Sequence, residues 1–109
     1  MDEDGYPTEE ELKRVQEWPI KGLHDCRELL DYIHSNWNYA EWGWHEEDRP
    51  DDLYPEQINR VYHISTAGWS GNESMIDAMR KNWGLWTLCW ESSRRGGHFT
   101  FVVDGEKKP

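Results

Sequence analysis

Cysteine is scarce in this sequence, with only Cys26 and Cys89 among 109 residues. Two cysteines make no disulfide framework, and because neither belongs to a C-x-x-C pair there is no zinc ribbon and no dithiol redox motif. Each sits among apolar neighbours, where a reduced thiol behaves as a small hydrophobe. Long hydrophobic runs are missing too. Nothing approaches transmembrane length and the residues after Met1 are acidic, unlike a signal peptide, so the expected location is the cytoplasm, with no membrane partner. A basic excess is also lacking: 22 acidic residues against 12 basic ones leave a net charge of −10, which disfavours general coating of nucleic acid. Finally, His24, His34, His45, His63 and His98 show no H-E-x-x-H spacing, and the acids near Glu46 lack the D-x-D-x-D-G order of a calcium loop. The pattern implies no metal and no cofactor.

Tryptophan is what the sequence has in abundance, eight residues beside five Tyr and two Phe. Each large ring buries on the order of 150–250 Å², and a chain of this length forms one domain. A small core does not need eight indoles, so some are expected at the surface as ligand platforms or partner anchors. The charge is unevenly spread. Residues 1–11 hold six acids and no base, and residues 41–52 hold six more against Arg49 alone, together 12 of the 22. From Arg60 to Val103 there are five Arg and Lys against three acids, so the second half can host an anion.

Along the chain, residues 1–7 are polar and acidic and read as a disordered tail, residues 8–104 as a single α+β domain, and residues 105–109 as a polar C-terminal tail. Thr8-Glu9-Glu10-Glu11 has the spacing of a capping box and predicts a first helix ending before Pro19. Leu23, Cys26, Leu29, Leu30, Ile33 and Trp37 recur at three- and four-residue steps and predict a second. Ala40, Trp42 and Trp44 alternate as in a short strand, after which the acids, Pro50 and Pro55 suggest a solvated loop. Arg60–Thr66 reads as a strand, and a third helix begins near Ser70–Asn72 and stops around Asn82–Gly84. Leu85–Ser92 and His98–Val103 read as a β-hairpin closed by S-R-R-G-G, whose glycines suit the positive φ of a tight turn. In that strand Trp86, Leu88 and Trp90 form a core-facing row. The expected fold is a two-layer α+β arrangement, order α-α-(β)-β-α-β-β, with a three- or four-stranded, mostly antiparallel sheet packed against two to three helices.

Two places carry candidate chemistry. The first is S-T-A-G-W-S-G-N-E-S, Ser65 to Ser74, on a strand-to-helix junction. Such a junction aims backbone N–H groups and the positive helix end at one point, which suits phosphate or carboxylate. Ser65 and Ser70 would add hydroxyl donors, Gly71 and Asn72 backbone N–H groups, and Trp69 a stacking surface. The bland alternative is that Ser70-Gly71-Asn72-Glu73 is an ordinary capping box. G-W-S-G-N falls short of the G-x-S-x-G nucleophile elbow because Asn72 stands at the last glycine, and no G-K-[ST] follows for a P-loop. The second place is the turn from Ser92 to His98. There Arg94 and Arg95 offer forked donors for an anion, and His98 is an imidazole, the side chain whose charge changes near neutral pH. Adjacent arginines on a turn are otherwise simply solvated.

The runs H-I-S-T-A-G-W-S-G-N-E-S and W-x-L-C-W-E-S-S-R-R-G-G-H-F-T-F, within His63 to Val103, resemble a group of small uncharacterised proteins encoded by bacteriophages and prophages. The resemblance implies an accessory protein acting in the bacterial host cytoplasm and brings with it no activity and no catalytic residues. Three functions are open. The first is a non-enzymatic binding module for an anionic small molecule, a nucleotide being one concrete form, or for a host protein, using Ser65, Trp69, Ser70, Gly71, Asn72, Arg94, Arg95 and His98. The second is a small enzyme acting on a phosphorylated or glycosidic substrate, with His98 as acid or base and only Glu91 as a nearby acid. The third is an acidic inhibitor of a host factor, acting through residues 46–52.

Overall fold

In the computed structural model, which describes residues 2–105, five helices and four strands follow one another. They are α1 (Glu9–Glu17), α2 (Leu23–Ser35), α3 (Ala40–Gly43), β1 (Trp44–Pro50), β2 (Ile58–Ser65), α4 (Ser70–Lys81), α5 (Trp83–Cys89), β3 (Trp90–Arg94) and β4 (His98–Val103). The strands form one fully antiparallel sheet in the order β1-β2-β4-β3. This is the expected α+β class. Among the described residues no helix is long and apolar enough to cross a membrane. The C-terminal tail expected over 105–109 lies, beyond Gly105, outside the described residues, as does Met1.

The core lies between one face of the sheet and the helices. Tyr62, Ile64, Phe99, Phe101 and Val103 alternate along β2 and β4 and meet Leu29, Leu30 and Ile33 of α2, Met75 and Met79 of α4, and Leu85 of α5. Burial, and then the Glu46 carboxylate, push the Tyr62 phenol above its ordinary pKa. Helix α1 is fixed as expected: Thr8 Oγ1 accepts from Glu11 N–H at 3.1 Å while Glu11 Oε1 accepts from Thr8 N–H at 2.9 Å. The segment before it, read as a disordered tail, folds back through Asp2, whose carboxylate accepts from Tyr6 N–H at 2.9 Å. The Tyr6 ring then lies 4.7 Å from that of Trp69.

Three local expectations are corrected. Residues 83–89 are helix rather than strand: Asn82 ends α4 and also caps α5 by accepting from Leu85 N–H at 3.1 Å. Leu85 and Cys89, four residues apart, face the core, so the burial period is helical. Leu88 and Trp90 are exposed, while Trp86 stacks on Trp90 at 5.7 Å. Ala40–Gly43 is a single helical turn and not the start of a strand. The acidic stretch is not a loop but the edge strand β1. Its acids are engaged from the neighbouring strand: Arg60 bonds Asp48 at 2.9 Å and Glu46 at 3.2 Å, and Asp48 first, then Glu46, raises the Arg60 pKa. His63 meets Glu47 at 3.3 Å. Asp51 closes the turn that follows, accepting from Leu53 and Tyr54 N–H groups at 3.0 Å.

Candidate functional site

The sheet face turned away from the helices forms the candidate site. Strand alternation sends His45, Glu47 and Arg49 of β1 to this face, with Val61, His63 and Ser65 of β2 and His98, Thr100 and Val102 of β4. On β3, Ser92 stands opposite Thr100 and Arg94 opposite His98, and a register shift between Trp90 and Ser92 frees Glu91 from pairing. Such a bulge re-aims a side chain.

Glu91 uses that freedom to reach across the sheet. Its carboxylate meets the Arg49 guanidinium at 3.4 Å, although β1 and β3 are opposite edges of the sheet. Each side chain is roughly half exposed, so the pair adds only about 0–1 kcal/mol of stability. Its geometric effect is larger. The register places Val61 and Val102 under this span, and Val61 is fully buried outside the main core cluster. The span divides the face in two. On one side lies a concavity of about 560 Å³ edged by Asp51, Asp52, Asn59 and Asp104. On the other lies a cleft of about 520 Å³.

This second cleft gathers cationic and hydroxyl-bearing groups from all four strands. His45, His63 and His98, Ser65, Ser92 and Thr100, and Arg49 and Arg94 line it, and Glu91 is its one acid. The Thr66 N–H donates to the Gly97 carbonyl at 3.0 Å, so the adjacent Ser65 and His98 form a non-hydrogen-bonded pair, the kind that brings side chains closest. His45 is held by a 3.2 Å bond to the Trp42 carbonyl, which requires its Nε2 to carry the proton. Among the described residues Arg94 has no ion-pair partner, so its guanidinium is the cation free to receive an anion. Among the described residues no group of three or more His, Cys, Asp or Glu is placed to hold a metal ion.

The turn behind the cleft depends on Gly96 and Gly97, at φ 88° and 76°. A Cβ on Gly97 would enter the Thr66 hydroxyl, so the end of β2 and the Arg94–His98 turn touch through backbone. The loop and the turn therefore meet, but only part of the expected residue set comes with them. Ser65, Arg94 and His98 share the cleft. Arg95 is exposed and does not line it.

Ser70, Gly71 and Asn72 also lie outside it. Ser70 is the first residue of α4 rather than its cap, since the helix is capped by Trp69 without a side-chain bond, and its hydroxyl donates to Tyr6 Oη at 3.4 Å. Gly71 is buried beneath Trp69, and an added Cβ would come within 2.7 Å of the indole nitrogen. Asn72 is 2% exposed. Its amide accepts from Asn38 N–H at 3.0 Å and donates to the Asn38 carbonyl at 2.7 Å, tying α4 to the segment after α2. Asn72 therefore serves the packing of α4, pairing the backbone N–H and carbonyl that Asn38 presents, while Gly71 makes room for the Trp69 indole.

Trp69 occupies a separate groove of about 440 Å³ with Tyr39, Trp42, Ala67 and Gly68. Trp42 lines both this groove and the cleft. The sequence reading missed His45, His63, Arg49, Ser92 and Thr100. Their signal was alternation: His63 and Ser65 flank Ile64, and His98 and Thr100 flank Phe99, polar between apolar, as on a strand with one face free. Comparison of the chain with protein families, with curated proteins and with solved structures finds no match.

Proposed function

We propose that this protein is a binding module for an anionic small molecule, seated in the cleft on the open face of the sheet. The observation that carries the reading is the convergence of Arg94 and Arg49 with three imidazoles and three hydroxyls in one concavity that contains a single acid. Arginine presents forked donors to phosphate or carboxylate, and hydroxyls and imidazole N–H groups complete the coordination of such an anion. The lining itself has a net positive formal charge, Arg49 and Arg94 against Glu91, although Glu47 on the same face meets His63 at its margin. An accessory role in a phage-infected cell, implied by the resemblance of His63 to Val103, is compatible with a protein that sequesters such a molecule, and belongs to this proposal.

The acidic-inhibitor reading has less to stand on. Glu46, Glu47 and Asp48 are paired with Arg60 and His63 rather than presented to a partner. The test is a thermal-shift screen with phosphate- and carboxylate-bearing small molecules, inorganic pyrophosphate among them. Stabilisation of the wild type that is lost in Arg94→Ala is the expected result. No stabilisation by any member of the screen, or equal stabilisation of the variant, overturns the proposal.

A further inference from the structure

The groove beside the cleft differs from it in chemistry as well as position. Its walls are the rings of Tyr39, Trp42 and Trp69, and its floor is the backbone of Ala67 and Gly68. Trp42 is 78% exposed and Tyr39 52%, a large cost in unburied apolar area for a chain this small. Trp69 is the fixed wall. Tyr6 lies against it at 4.7 Å and Tyr39 meets it edge-on at 5.9 Å. Its buried Nε1–H has no hydrogen-bond partner among the described residues.

The backbone is strained at the same place. Two non-glycine residues of the described chain have left-handed backbone, Tyr39 at φ 59° and Ala67 at φ 55°, and both line this groove. Each such residue costs on the order of 1–2 kcal/mol, and one position presents a groove ring while the other shapes its floor. Close packing keeps the arrangement in place: a Cβ on Gly43 would collide with the Ser65 carbonyl, and Trp37 Nε1–H donates to that same carbonyl at 3.1 Å. The turn that carries Trp42 is thereby seated on the strand that carries Ser65.

We infer that the groove and the cleft together form one bipartite site for a nucleoside phosphate, with the base stacked among Trp42, Tyr39 and Trp69 and the phosphate held by Arg94, His98 and Ser65. The inference rests on the anion-binding reading of the cleft and adds the identity of the ligand class. Three aromatic rings suit the flat face of a heterocycle, while guanidinium and imidazole suit phosphate oxygens. The two concavities are separate and share the Trp42 wall. A ligand filling both needs a spacer between ring and charge, which the sugar of a nucleotide supplies and an aryl phosphate lacks.

Isothermal titration with four probes tests this: inorganic pyrophosphate, phenyl phosphate, the common ribonucleoside di- and triphosphates, and the parent nucleosides. The proteins compared are the wild type, Trp42→Ala and Arg94→Ala. At least one nucleotide binds the wild type about tenfold or more tighter than pyrophosphate or phenyl phosphate, the scale of one base stacked on an aromatic side chain. Trp42→Ala removes that advantage, bringing nucleotide affinity down to that of pyrophosphate in the same variant. Its side chain is exposed and its carbonyl, which holds His45, is retained, so the variant folds and a thermal melt verifies this. Arg94→Ala weakens nucleotide and pyrophosphate alike. If pyrophosphate binds but no nucleotide binds tighter, or if Trp42→Ala changes nothing, the bipartite site is wrong while the anion cleft stands. If neither pyrophosphate nor any nucleotide binds, both fall.

Discussion

The two faces of β2 and β4 are built from the same two strands, eight and six residues long, and do opposite jobs. On one face Tyr62, Ile64, Phe99, Phe101 and Val103 are buried against helices. On the other, one residue away in each case, His63, Ser65, His98 and Thr100 line an open cleft. The period of two along a strand separates the residues that hold the protein together from those free to meet a ligand. A substitution should therefore be felt as lost stability or as lost binding according to its parity in the strand.

Phe101→Ala against His98→Ala is the sharpest way to break that comparison. Removing the buried ring costs about 3–5 kcal/mol, a large share of the total stability of a small domain, whereas His98→Ala changes stability by no more than about 0.5 kcal/mol and weakens anion binding. Denaturant melts of both variants, with pyrophosphate titration of the second, check it. Comparable destabilisation by the two would mean that the open face is structural after all. Asn72→Ala leaves the backbone N–H and carbonyl of Asn38 without their partners and costs about 1–3 kcal/mol, read by the same melts, with no direct effect on binding because the residue is outside the cleft.

Gly97→Ala sharpens the comparison where the faces are joined. Its left-handed backbone and the collision with Thr66 cost about 1–2 kcal/mol and move the Arg94–His98 turn, so melting temperature and anion affinity drop together. The smallest effect belongs to Glu91→Gln. Removing the one acid of the cleft and releasing Arg49 raises anion affinity about two- to fivefold with almost no change in stability, the scale of an exposed ion pair. Titration calorimetry reads it, and an unchanged or weaker affinity counts against the cleft.

What could be read from the sequence was what local rules determine. The Thr8 and Glu11 cap, the apolar face of α2, the strand near Arg60 and the Gly96-Gly97 turn all depend on neighbours within a few residues, and all are present. What could not be read depends on distant partners. β1 looks like a loop because its acids are balanced by Arg60 across the sheet, 12 to 14 residues away. Trp83–Cys89 mixes apolar residues in a way that suits strand or helix, and the choice is made by Asn82 acting at two helix ends. The cleft is assembled by register: Ser65 meets His98 and Ser92 meets Thr100 only once the strands have paired. Motif searching drew attention to Ser70 and Arg95 and passed over His45 and His63, which become neighbours only through β1–β2 pairing.

The acidic strand at the sheet margin has one more consequence. A bare edge of seven residues invites a second copy of the chain to add its own β1 alongside. In the antiparallel register that pairs the whole of Trp44–Pro50 with itself, Glu47 would face Glu47 and Glu46 would face Asp48, and like charges set directly opposite repel. Arg60 offsets only part of this charge, since one guanidinium serves both Glu46 and Asp48, and the remainder guards the margin of the sheet against self-templated growth.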